Sequence, residues 1–133
     1  MPNLTKYAAL SFFMILLFLA LSGSAAGQQH VTGTFADGAT YLIDVPAVWN
    51  GTLVLYSHGY NAPGNPNPAP DVGDGLTGYY LYTKGFALAG SSYATNGWAV
   101  HEAFQDQIAV LDTFQALVGT PHTRSPGDIL SVA

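Results

Sequence analysis

The segment Asn50-Gly51-Thr52-Leu53-Val54-Leu55-Tyr56-Ser57-His58-Gly59-Tyr60 constrains this chain more than any other. Its apolar centre does not alternate with polar residues, so it suits a strand covered on both faces, and such strands belong to parallel sheets flanked by helices. The run stops abruptly at His-Gly-aromatic, where glycine permits a sharp turn of the backbone. Ligands of open sheets bind beyond the carboxyl ends of the strands. The residues that follow Tyr56 are therefore the first place to look for a site.

Residues 1–26 read as a signal peptide rather than as part of a folded domain. Lys6 gives a positive start, Tyr7 to Leu21 is nearly all apolar, and Ser22-Gly23-Ser24-Ala25-Ala26-Gly27 supplies the small residues of a cleavage site near Ala26. The apolar core is shorter than the ~20 residues of a spanning helix, and the next basic residue is Lys84, so no stable membrane anchor is expected after cleavage. The expected location is secreted or periplasmic. Residues 27–133 carry only Lys84 and Arg124 against Asp37, Asp44, Asp71, Asp74, Glu102, Asp106, Asp112 and Asp128. Such an acidic surface repels phosphate backbones and anionic membranes, and no nucleic-acid partner is expected. The chain has no cysteine, so neither disulfides nor a thiolate metal site can hold it.

Along this second unit, His30 to Phe35 and Ala39 to Val45 alternate about Asp37-Gly38, which predicts an antiparallel hairpin. Pro46 ends it, and Asn50-Gly51 turns the chain into the buried strand Thr52 to Ser57. Ala62 to Gly75 has loop composition. Leu76 to Thr83 reads as a short helix, with Asp74 near its N-cap and Gly85 at its C-terminus. Phe86 to Ala89 predicts a second buried strand. Val100, Phe104, Ile108, Leu111, Phe114 and Val118 then recur at spacings of three and four, the core stripe of a long helix stopped by Gly119 and Pro121. The loop-like stretch after it leaves Asp128 to Ala133 too short to complete much. The predicted class is α/β, an antiparallel hairpin followed by parallel strands with connecting helices.

Tyr41 to Pro46, Trp49 to Gly59 and Ala87-Leu88-Ala89-Gly90-Ser91-Ser92-Tyr93-Ala94 together resemble the N-terminal part of secreted α/β-hydrolases. Gly97-Trp98-Ala99-Val100 with Asp106-Gln107-Ile108 resembles the helix that precedes the nucleophile strand in that family. The resemblance implies an incomplete α/β-hydrolase-like sheet and an exported serine hydrolase acting on a small-molecule ester or amide, without a cofactor. Acyl transfer needs preorganised donors for a tetrahedral oxyanion. In this family one donor is a backbone N–H just behind His-Gly. The resemblance thus points to the N–H of Tyr60, with Gly59 allowing close approach and His58 shaping the loop, and to Tyr60 and Asn61 as substrate-facing; Ser91 and Ser92, at the end of the second buried strand, read either as substrate-facing residues lining a pocket or as strand-end residues.

The family's Gly-Xaa-Ser-Xaa-Gly elbow, followed by an acid and a histidine, is absent from this sequence. Gly90-Ser91-Ser92-Tyr93-Ala94 lacks the closing glycine and precedes the long helix, and in Arg124-Ser125-Pro126-Gly127 proline follows the serine. No residue is therefore assigned as catalytic. Ser125 to Ala133 does not resemble the family's continuation, and the expectation is a truncated or frameshifted N-terminal part, marginally stable, prone to association and inactive alone. Asp71 and Asp74 are oxygen ligands of the kind calcium takes, but their spacing is not that of an EF-hand and no metal is expected. The alternative is a small secreted non-catalytic binding domain that presents Tyr79, Tyr80 and Tyr82.

Overall fold

A computed structural model describes residues 27–121 and 129–132 of the protein; the expected signal peptide lies outside them. Five strands form one mixed sheet: β1 (Gln29–Thr34), β2 (Thr40–Val45), β3 (Leu53–Tyr56), β4 (Ala87–Ser91) and β5 (Ile129–Val132), in the order β1-β2-β4-β3-β5. Helix α1 (Gly75–Thr83) joins β3 to β4, and α2 (Val100–Leu117) follows β4. The β1–β2 and β2–β4 pairs are antiparallel, whereas β3 runs parallel to both β4 and β5. This is the α/β arrangement expected from the hairpin and the unalternating strands. Among the described residues no helix is long and apolar enough to cross a membrane.

The hairpin turn follows its sequence signal closely. Gly38 takes φ 95°, the Phe35 N–H bonds the Ala39 carbonyl at 2.8 Å, and the Asp37 carboxylate accepts from the Ala39 N–H at 3.0 Å. α1 begins at Asp74, whose carboxylate accepts from the N–H groups of Leu76 and Thr77, and ends before Gly85 at φ 86°. Asp74 is thus occupied as a cap. Its pKa lies below the ordinary carboxylate value because of the hydrogen bonds from Thr77 and Leu76.

Strand alternation sorts the core onto two faces. Ile43, Val45, Leu53, Leu55, Ala87 and Ala89 meet Val110 and Phe114 of α2, with Trp49 set edge-on against Phe114 at 5.5 Å. Val54, Tyr56 and Leu88 turn toward Val72 and α1. All five residues of β4 are buried. At Gly90 a Cβ would come within 2.1 Å of the Pro70 carbonyl oxygen and 2.9 Å of the Tyr56 carbonyl oxygen, so only glycine lets the loop cross the strand there.

Two expectations require correction. The apolar stripe of α2 is a core face only in its C-terminal half: Val100 is 73% exposed and Phe104 66%, while Asp106, Val110 and Phe114 are the residues buried. The reason is hydrogen bonding at the strand ends. Asp106 and Gln107 turn inward to bond backbone groups there, and this rotates the apolar residues of the first two turns outward. The second correction is at the C-terminus, where Ile129–Val132 pairs along the outer edge of β3 as a further parallel strand.

Phe114→Ala is expected to cost about 3–5 kcal/mol, as for a large aromatic removed from a packed core. Phe104→Ser is expected to stay within about 0.5 kcal/mol of the parent. Urea unfolding of the two variants checks the pair, and comparable losses would contradict the observed rotation of α2.

Candidate functional site

The strand end singled out in the sequence meets the end of β4. Beyond Tyr56 the His58 ring stacks on Tyr93, with centroids 4.0 Å apart, and the Tyr93 hydroxyl donates to the His58 carbonyl at 3.0 Å. His58 Nε2 faces the Ser92 carbonyl at 3.0 Å and Nδ1 faces the Gly59 carbonyl at 2.8 Å. Both neighbours are acceptors, so a neutral ring donates to only one of them. Neither nitrogen is presented as a base to a bound substrate. The ring ties the turn after β3 to the turn after β4.

The N–H groups of Gly59 and Tyr60 find no acceptor among the described residues. Gly59 is not in the left-handed region, and a Cβ built on it would meet open space. The turn therefore does not need glycine for its own conformation, contrary to the expectation from sequence. What glycine leaves at this position is room beside two unpaired donors.

Three residues expected to face a substrate are engaged elsewhere. Ser91 and Ser92 are 0% and 2% exposed. The Ser91 hydroxyl accepts from the Tyr93 N–H, and that of Ser92 accepts from the Thr40 N–H and donates to the Tyr93 carbonyl. Both serines shape the turn from inside, which fits strand-end residues and corrects the substrate-facing assignment. Asn61 is likewise a fastening residue: its Nδ2 reaches the Pro66 carbonyl, Asn67 Oδ1 and Asn96 Oδ1 within 3.1–3.2 Å, and its carbonyl accepts from the Gly97 N–H at 2.6 Å. Asn96 Nδ2 returns to the carbonyls of Ala62 and Asn65. This asparagine network carries no spacing signature, because its members come from two loops about 30 residues apart.

Tyr93 and Trp98 are the residues that sequence reasoning missed. Tyr93 is buried and holds φ 60°, a region that residues with a Cβ seldom occupy. Its carbonyl is held by Ser92 and by Asn67 Nδ2, and its ring by His58, so contacts on every side stabilise the strained backbone. Trp98 lies against Tyr60, with centroids 5.2 Å apart. A cavity of about 210 Å³ opens between them, lined by His58, Tyr60, Tyr93, Trp98, Val100 and Ala103 among others. Only a signal for aromatics shortly after a buried strand could have flagged them.

α2 secures this end of the sheet. The Asp106 carboxylate accepts from the Ala94 N–H at 2.9 Å, and Gln107 Nε2 donates to the Tyr56 carbonyl at 2.7 Å. Gln107 Oε1 is buried with no partner among the described residues. Asp106 is only 1% exposed, and burial together with a hydrogen bond and repulsion from Asp37 pushes its pKa up to about 6. A second carboxyl pair lies at the other face. Burial and Asp44 raise the pKa of Asp71, and Asp44 also meets His30 Nδ1 at 2.6 Å. Among the described residues no three metal-ligating side chains converge. Tyr79 and Tyr80 are exposed, but Tyr82 is not, because its hydroxyl donates to the Val45 carbonyl at 3.2 Å.

A carboxyl whose pKa is higher folded than unfolded stabilises the fold below its unfolded value near 3.9, and that contribution is lost as pH rises through the folded value. For Asp106 the loss falls between about pH 4 and pH 6–7, on the order of 2–3 kcal/mol. Asp106→Asn keeps an acceptor for Ala94 and removes the charge. Urea unfolding at pH 4.5 and 7.5 should show a smaller pH effect in the variant and higher stability than the parent at pH 7.5. A variant less stable than the parent at pH 7.5 would contradict this assignment.

No protein-family model, no curated protein and no solved structure matches this chain.

Proposed function

We propose that this chain is the N-terminal part of an exported serine hydrolase of the α/β-hydrolase type, acting on a carboxylic ester or amide. The observation that carries the reading is the turn after β3, where the Gly59 and Tyr60 N–H groups lack an acceptor beside an apolar cavity. Donors held in place before the reaction begins are what a developing oxyanion requires. Tyr60 supplies the backbone N–H, Gly59 leaves space for the carbonyl, and His58 fixes the loop. The sheet supports the same reading, since an antiparallel hairpin leads into the parallel set β4, β3 and β5.

In the resembled family the nucleophile follows the next strand after the long helix. β5 is the strand that follows α2, and it lies alongside β3. An elbow directly after Val132 would bring its serine to the same end of the sheet as Tyr60. Gln107 Oε1, buried near the end of β3 with no partner among the described residues, suits an N–H from such a segment. The nucleophile, acid and histidine belong to no residue of this sequence, so the chain by itself is expected to be inactive.

Reading the DNA past the Ala133 codon in all three frames is expected to reveal Gly-Xaa-Ser-Xaa-Gly close to β5, with an acid and a histidine after it. The extended protein should hydrolyse a chromogenic short-chain ester, and replacing the elbow serine by alanine should lower the rate by at least a thousandfold. The absence of the motif from every frame would sink the proposal, as would turnover that survives replacement of every candidate serine.

A further inference from the structure

We infer that the cavity beside the His58-Gly59-Tyr60 turn is an acyl pocket for an uncharged carbonyl compound bearing one aromatic ring on a short carbon arm, an inference that rests on the hydrolase reading of that turn. The size of the group follows from the volume. A cavity of about 210 Å³ has room for one phenyl ring on a short carbon arm and not for a larger ring system.

The lining sets the chemistry. Tyr60 and Trp98 form one wall and the stacked His58 and Tyr93 another, with Val100 and Ala103 of α2 between them. Among the described residues no Asp, Glu, Lys or Arg lines the cavity. A charged acyl group would therefore lose its hydration without gaining an ion partner. The net charge of −5 further disfavours an anion. Aromatic walls favour a ring in tilted or offset contact. The N–H groups of Gly59 and Tyr60, which have no acceptor among the described residues, match a carbonyl oxygen at the rim.

Two further observations mark the pocket as built. Tyr93 keeps its strained φ of 60° while its ring and hydroxyl are both fixed to His58, and strain of this kind concentrates at ligand clamps. Trp98 is 82% exposed at the rim although it is among the largest apolar side chains in the chain. A ligand ring in the cavity would cover it. The outward rotation of the first turns of α2 is what places Val100 at the same rim.

The test is an amide chemical-shift titration of the ¹⁵N-labelled full chain with methyl 3-phenylpropanoate, and in parallel with propylbenzene, which has the ring and arm but no carbonyl. The ester is expected to shift the Gly59 and Tyr60 amides together with those of Val100 and Ala103, in a saturable manner. Propylbenzene should shift Val100 and Ala103 alone. Trp98→Ala should weaken ester binding at least fivefold and Ala103→Phe, which fills the cavity, should abolish it, whereas Tyr79→Ala on α1 should leave it unchanged. Absence of saturable shifts, or binding indifferent to Ala103→Phe, would overturn the pocket assignment. The outcome separates from that of the hydrolase reading: binding in a protein whose gene lacks the nucleophile elbow leaves a pocket without chemistry, and an elbow present with no ester binding removes the pocket alone.

Discussion

The burial of β4 on both sides governs the rest of the structure. Ala87 and Ala89 are small enough for α2 to lie close over one face, and Gly90 lets the Pro70 carbonyl cross the other at a distance no Cβ would tolerate. The long loop between β3 and α1 is therefore drawn down onto the sheet. Its descent brings Val72 under α1, where it fills the space that the missing side chain of Gly78 leaves open. A larger residue in the middle of β4 would lift the loop and loosen the turn after β3 with it.

The strand ends pose a second demand, because backbone groups that leave the sheet must find partners or water. Here they are met largely by side chains: Asp106 for Ala94, Gln107 for Tyr56, the two buried serines for Thr40 and Tyr93, and the asparagine network for the flanking loops. Gly59 and Tyr60 line the cavity beside this turn, and their N–H groups have no acceptor among the described residues.

The hairpin, both buried strands, the Asp74 cap and the Gly85 stop were legible in the sequence because each depends on neighbours within a few residues. The position of the turn after Tyr56 was legible for the same reason. The facing of α2 was not, since apolar periodicity pointed to Val100 and Phe104, while the hydrogen-bond needs of Ala94 and Tyr56, distant in sequence, decided the rotation. The substrate-facing reading of Ser91 and Ser92 failed on similar grounds. A serine at a strand end looks available until the N–H groups of Thr40 and Tyr93 are seen to claim it. β5 escaped notice because four residues carry little periodic signal, and the open edge of β3 supplies what they lack.

Both close carboxyl pairs join the hairpin to the body of the domain. Asp37 in the turn faces Asp106 of α2, and Asp44 of β2 faces Asp71 of the loop on the opposite side. Burial and the neighbouring carboxyl hold Asp106 and Asp71 above the ordinary carboxylate range, so ionising either one sets like charges against each other at the seam with the hairpin. The hairpin is thus the edge of the sheet whose attachment depends on proton occupancy, with one latch on each face. At these two seams deprotonation works against attachment, so the hold of the hairpin on the body of the domain weakens as pH rises through the titration of Asp106 and Asp71.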